Sequence, residues 1–338
     1  MRDYDGSSIP IKLAGSFIET HSIAQSKIID YLTNEQTHGK KQESLINQAA
    51  RLSENWINKI GYKDTSSFVI WAVESPWYIW LDEWTLLVGV MDAIMEDWTG
   101  IFGCEWKTTR TPTKFYTEKV WLEELVTGPQ VAIYALALEK GAFYAPNLNA
   151  RCTTFGDGAP RIRVRAAVKD NITIWPSPNY NDIFTYTERN LMAIENSVMN
   201  EAAAIRELRR RWNNCLPWQY PGKHCKQFGS YCAYLEGMCA SGINPRRTGE
   251  RKPFDLSDPG AAAIEYAFVE TERDVELLKD DRMVVVSASA YQLMTSCREK
   301  YRIVTEIAEK ETNDALELGG LFHGSLAAYY GTFKKVLV

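Results

Sequence analysis

Residues 23–60 are polar with apolar residues at helical intervals (Leu45, Ile46, Ala49, Leu52, Trp56, Ile57), a period that predicts one or two amphipathic helices. The pattern then changes. FVIWAVES, YIWLDEWTLLVGVMDAIME and IFGCEWKTT are rich in β-branched and aromatic residues and are broken by short polar turns, so they predict strands of a sheet. Helical spacing returns in VWLEELVTGPQVAIYALALEKG, which closes on a glycine stop signal, and PRIRVRAAVKDNITIW predicts a further strand. A long helix is expected over residues 181–212. After Cys239 the stretch SGINPRRTGERKPFDLSDPG, dense in glycine, proline and charge, reads as a linker or exposed loop. Beyond it lie a helix, the short strand MVVVSAS and two helices containing Cys297 and His323. The mixture predicts an α/β fold, a small mixed sheet flanked by helices, with no internal repeat and no low-complexity tract.

Composition changes this picture little. With 338 residues, 45% of them hydrophobic and 24% charged, the chain can bury one large core or two modest ones. The net charge of -5 does not announce a nucleic-acid partner, although local basic clusters can outweigh a mildly acidic total. The start, MRDYDGSSIPIKLAGSF, lacks a basic region followed by an apolar run and a cleavage site, and no stretch nears the roughly 18 apolar residues that span a bilayer. A cytoplasmic protein without membrane contact is expected. In a reducing compartment disulfides do not readily explain seven cysteines. Cys225, Cys232 and Cys239 crowd one short stretch with Cys215 just upstream, whereas Cys104, Cys152 and Cys297 stand alone.

Candidate chemistry lies in LLVGVMDAIME and IFGCEWKTT, joined by Asp97-Trp98-Thr99-Gly100. A symmetric hairpin register pairs Glu96 with Ile101, Asp92 with Glu105 and Val90 with Lys107, and the two-residue period puts Glu105 and Lys107 on one side. Facing carboxylates destabilise a ladder unless a cation, a proton or full solvation compensates them. A divalent ion with hard oxygen ligands, Mg²⁺ or Mn²⁺, would do so and could activate water against a phosphate. The same pattern on a solvated surface hairpin would be inert.

Gly89-Val90-Met91-Asp92, followed by Gly103-Cys104-Glu105-Trp106-Lys107-Thr108-Thr109, resembles the G-x-x-D and (D/E)-x-K-T core of the PD-(D/E)XK nuclease superfamily, specifically its RecB-like exonuclease branch. Gln130-Val131-Ala132-Ile133-Tyr134 matches that branch's Q-x-x-x-Y motif, whose i, i+4 spacing sets both side chains on one helical face. Glu74 falls on the strand where relatives often carry a glutamate. The resemblance implies a restriction-endonuclease-like core that hydrolyses DNA, acting as an exonuclease on single-stranded or free ends in recombination, repair or phage DNA metabolism. A helicase or recombination partner is left unidentified. The implied metal shell is Asp92, Glu105, the backbone carbonyl of Trp106 and a histidine, with Lys107 assisting the water and Gln130 and Tyr134 positioning the strand or the lysine. The alternative is a non-cleaving DNA-binding or assembly module that keeps the fold.

PWQYPGKHCKQFGSYCAYLEGMC resembles the C-terminal cysteine motif of the iron-sulfur members, the AddB-type and CRISPR adaptation nucleases. Those relatives place a fourth cysteine near their N-terminus, within an S-x-S element, a cysteine helix and a G-x-x-x-H helix start. Here the matching residues stand at the far end: Ser287-Ala288-Ser289, Cys297, and Gly319 to His323. The resemblance therefore implies a circular permutant: a nuclease core with its cysteine motif over residues 1–240, a linker region over 241–283, and a segment over 284–338 that completes the core. A truncated second copy is the rival. Cys225, Cys232, Cys239 and Cys297 would bind a [4Fe-4S] cluster, with Cys215 as the competing fourth ligand and Zn²⁺ as the alternative metal. His323 would join the catalytic ion, with Glu43 in reserve should the rotation be wrong. Cys104 and Cys152 read as buried thiols, His21 and His38 as surface residues, and His224 as a neighbour of the cluster. Arg161, Arg163 and Arg165 alternate along one strand and, with Lys169 and the arginines near 209, are candidates to follow a phosphate backbone.

Overall fold

The computed structural model describes residues 11–38, 43–109, 111–143, 159–169, 173–177, 180–211, 226–227, 230–231, 261–307 and 314–334. Cys152, His224 and the cysteines at 215, 225, 232 and 239 lie outside the described residues, as does the side chain of His38. Three helices come first, α1 (Ile11–His38), α2 (Glu43–Trp56) and α3 (Tyr62–Ser67), the last joined to α2 by a wider turn over Ile57–Gly61. The meander β1 (Val69–Asp82), β2 (Thr85–Asp97), β3 (Gly100–Thr109) follows. Then come α4 (Glu118–Thr127), α5 (Pro129–Lys140), β4 (Arg161–Val168), β5 (Ile174–Trp175) and β6 (Ile183–Thr185). The rest comprises α6 (Glu188–Arg211), a two-stranded ribbon of β7 (Lys226–Gln227) and β8 (Ser230–Tyr231), α7 (Ala261–Glu270), a 3-10 turn (Val275–Lys279), β9 (Val284–Val286), α8 (Ala288–Ser296), α9 (Arg298–Tyr301) and α10 (Asp314–Gly331).

Seven strands form one mixed sheet in the order β1-β2-β3-β4-β5, with β6 also on β4 and β9 also on β2. Alternation along the strands gives each face its own core. Ile162, Val164, Ala166 and Val168 of β4 pack with α5, α6 and α8, through Leu136, Val198, Ala202 and Tyr291. Phe102, Cys104 and Trp106 of β3 point the other way, into the apolar sides of α1, α2 and α10. A third cluster seats Ala263, Ile264, Ala267 and Phe268 of α7 on Leu86 and Val88 of β2.

Several expectations are corrected. The helix expected from residue 181 starts at Glu188, because Thr187 and Asn190 cap it reciprocally (Asn190 N–H to Thr187 Oγ1, 3.3 Å; Thr187 N–H to Asn190 Oδ1, 3.1 Å), and residues 183–185 pair with β4 instead. The helical stretch after residue 120 is two helices, broken where Gly128 precedes Pro129. Within the expected linker region over 241–283, residues 261–283 supply α7, the helix expected beyond the loop, and the 3-10 turn, which pack on β2. Residues 241–260 are outside the described set. His21 is buried, its ring between Thr65 Oγ1 at 3.1 Å and Tyr329 Oη at 2.7 Å. Among the described residues no helix is long and apolar enough to cross a membrane.

Candidate active site

The second edge of β2 is shared. Its start, Thr85 to Leu87, pairs in parallel with β9, and its end pairs with β3 from Ala93↔Cys104 to Asp97↔Gly100. This is the expected hairpin register, but the ladder stops before Asp92 and Glu105 can pair. Beyond Cys104 the β2–β3 ladder ends while β3 stays paired in parallel with β4 on its other edge, which opens a fork between β2 and β3. Asp92 sits at that fork and its Oδ2 accepts from the Trp106 backbone N–H at 2.5 Å, a side chain replacing the missing ladder acceptor.

Two glycines allow the strands to close around the fork. A Cβ on Gly103 would lie 2.5 Å from the Met91 sulfur and 2.8 Å from Ile162, and one on Gly89 would enter the indole of Trp77 at 2.4 Å. Trp77 in turn packs edge-on against Tyr134, 6.0 Å between ring centroids.

Both faces of the sheet send groups into the fork. From α5, Gln130 Nε2 donates to Glu105 Oε1 at 2.8 Å and contacts Tyr134 Oη at 3.1 Å. Lys107 pairs with the same Glu105 oxygen. From the opposite face α10 brings His323 Nδ1 to 3.2 Å from Asp92 Oδ1. On β1, Glu74 lies between Val73↔Ala93 and Ser75↔Met91, opposite Asp92, with a positive φ of 46°. One ligand atom from each of Glu74, Asp92 and His323 lies within 4.8 Å of the others. Glu43, the reserve ligand, is exposed on the first turn of α2, and His323 stands where it was to serve.

The electrostatics describe a crowded anionic site. Burial and then the Asp92 charge push the Glu105 carboxyl up to about 7, against the pull of Lys107 and His323. Partial desolvation, then Asp92 and Glu105, push Glu74 up to about 7 although much of that residue is exposed. Burial alone would lower His323, but the carboxylates of Asp92, Glu105 and Glu74 win and raise it to about 9. Lys107 follows the same logic: desolvation is outweighed by Glu105 and Asp92, so the ammonium is held. Meanwhile Glu105 Oε2 is buried without a hydrogen-bond partner among the described residues. A buried carboxylate oxygen with nothing to bond, beside two more carboxylates and an imidazole, is a donor set that fits a hard divalent cation.

The three arginines of β4 face acids instead of open solvent. Arg161 binds Asp97 at 3.1 Å, and Arg163 and Arg165 bind Asp182 at 2.8 and 2.9 Å and Asp64 at 3.6 and 3.2 Å. Arg206 is similarly held by Asp82, and Arg209 by the carbonyls of Asp281 and Met283. These contacts give the guanidinium groups a structural use. Cys297 ends α8, half-buried, with its Sγ accepting from the Lys300 N–H at 3.4 Å. Cys104 is buried, and desolvation drives its thiol well above the usual range. Glu74 is the site group that received least weight from the sequence; its signal was an acid in the interior of a mostly apolar strand.

A mixed sheet flanked by helices, forked around three acids, a lysine and a histidine, defines the class: an α/β protein whose clustered carboxylates and imidazole could hold a cation. The PD-(D/E)XK nuclease superfamily description matches residues 20–239, well over half of the chain, and the chain belongs to that superfamily. Membership points to metal-dependent nuclease activity, with DNA as the implied substrate. No curated protein matches the chain, and no solved structure does.

Proposed function

We propose that this protein hydrolyses phosphodiester bonds in DNA and acts as an exonuclease on single-stranded ends, within the RecB-like branch. The observation that carries the reading is the gathering of Glu74, Asp92 and His323 ligand atoms within 4.8 Å, beside a buried Glu105 oxygen without a hydrogen-bond partner among the described residues. Asp92, Glu105, His323 and Glu74, with the Trp106 carbonyl, would hold Mg²⁺ or Mn²⁺. When bound, such an ion supplies Lewis-acid polarisation of the scissile phosphate and offsets its growing charge. Gln130 holds Glu105 through one oxygen and leaves the other for ligation, and Tyr134 fixes Gln130. Lys107, tethered to Glu105, orients the attacking water and donates to the phosphoryl oxygens as negative charge accumulates there.

The order of parts is that of a circular permutant. What supports this is that β9 lies in the same sheet as β2 and that α10 carries His323 to Asp92, whereas a truncated second copy would have no use for either contact. The reading includes a [4Fe-4S] cluster on Cys225, Cys232, Cys239 and Cys297. An N–H donor to the Cys297 sulfur, as at Lys300, is one of the contacts by which proteins tune cluster thiolates.

Glu105→Ala is expected to lower magnesium-dependent degradation of single-stranded DNA by on the order of 10²- to 10⁴-fold, with an unchanged circular dichroism spectrum. A wild-type protein that binds DNA but fails to cut it whichever divalent ion is supplied would overturn the proposal and leave the non-cleaving module.

A further inference from the structure

The segment that leaves the catalytic strand makes a turn with no evident internal purpose. Thr113 and Tyr116 exchange backbone hydrogen bonds at 2.9 and 3.3 Å, and Thr113 Oγ1 accepts from the N–H groups of Phe115 (3.3 Å) and Tyr116 (3.0 Å). Four bonds in four residues fix the tip. Its base is anchored as well: Tyr116 is buried against Trp175, and its hydroxyl meets Thr109 Oγ1 at 3.4 Å. On this rigid mount Phe115 is 84% exposed, more than any other large apolar side chain among the described residues. Lys114 Nζ lies 5.9 Å from its ring centroid.

Exposing a phenyl ring on a fixed turn contributes nothing to the core, while a backbone already fixed and a side chain with only two rotatable bonds lose little freedom when something stacks on the ring. Position narrows what that something is. Thr109 lies two residues beyond Lys107, about 7 Å along an extended strand, and Tyr116 pins the turn to that point. The other highly exposed aromatic, Trp98 at 79%, is at the opposite end of β3, about 30 Å from the turn by strand length. We propose that Phe115 is a stacking platform for an unpaired nucleobase of the bound strand a few nucleotides from the scissile bond, and that Lys114 meets the adjacent phosphate. This deepens the nuclease reading and rests on it. A flat apolar ring beside an ammonium suits a base and its phosphate, and it suits unpaired strands over duplex, whose base faces are already covered.

The test uses the full-length protein in EDTA, so that binding is read without cleavage, with fluorescence anisotropy on a labelled single-stranded oligonucleotide. Phe115→Ala is expected to weaken binding roughly tenfold or more, and Phe115→Trp to restore it. An oligonucleotide with abasic sites should show the wild type the same loss and Phe115→Ala little further loss. Lys114→Ala should flatten the salt dependence of binding by about one phosphate contact. Unchanged affinity in Phe115→Ala overturns the proposal. So does unchanged affinity accompanied by loss of self-association, which assigns the ring to a contact between copies of the chain. If Phe115→Ala binds normally while Glu105→Ala abolishes magnesium-dependent cutting, the platform fails alone. If the wild type never cuts but Phe115→Ala and the abasic strand both bind weakly, the nuclease reading fails and the platform stands.

Discussion

At position 74 the backbone adopts φ 46°, a region that disfavours any residue with a Cβ, and the side chain placed there is a carboxylate already raised by desolvation, Asp92 and Glu105. Backbone strain and charge crowding fall on one residue, which is the combination expected where a fold holds a ligand group in place at some cost to itself. Glu74→Gly separates the two. Glycine accepts the conformation and removes an acid from an anionic cluster, so unfolding without metal should show a gain of about 1 kcal/mol. Magnesium binding, measured by titration calorimetry, should weaken at least tenfold in the same variant. Asp92, Glu105 and Lys107 were legible in the sequence because their motif is local. Glu74 was not, since an acid on a strand says nothing of the positive φ that turns it toward Asp92.

Elements were legible where period and punctuation agreed. The hairpin register followed from its four-residue turn, and α5 ended at Gly141 as its stop signal required. What could not be read was where the β2–β3 ladder stops, because a residue-by-residue hairpin register carries no sign of its end. The ion pairs of Arg161, Arg163 and Arg165 were not legible for a related reason: their partners Asp64, Asp97 and Asp182 come from α3, β2 and the turn before β6, and spacing along β4 carries no record of them. Fine packing constrains these elements too. Gly89→Ala would force a methyl into the rigid Trp77 indole that backs Tyr134, whereas Gly103→Ala meets the ends of the more adaptable Met91 and Ile162 side chains. Thermal unfolding should therefore report a loss of about 2 kcal/mol for Gly89→Ala and a smaller one for Gly103→Ala.

The molecule is closed by helices from its two ends. His21 of α1 contacts Tyr329 of α10 and Thr65 of α3, and desolvation lowers its pKa from 6.5 to about 4. Below pH 6.5 the unfolded chain takes up a proton that the folded imidazole refuses until about pH 4, so stability falls as pH falls through that window. Melting temperatures should decline across it, and the slope should be shallower for His21→Gln. Part of the remaining organisation can be tested by colour. Protein purified without air should be brown, with broad absorption near about 400 nm, and Cys297→Ala should lose both iron and colour. Colourless protein containing zinc would overturn the iron-sulfur assignment.

The fork has a consequence in time. Residues 74, 92 and 105 leave the ribosome early, whereas the histidine that meets Asp92 and the helix that covers Trp106 come from residues 314–331. Until residue 323 has emerged, a nascent chain holds the acids without their imidazole and the sheet without one of its covering helices. During synthesis the centre therefore cannot be completed before α10 emerges, and a chain interrupted ahead of α10 carries an incomplete one.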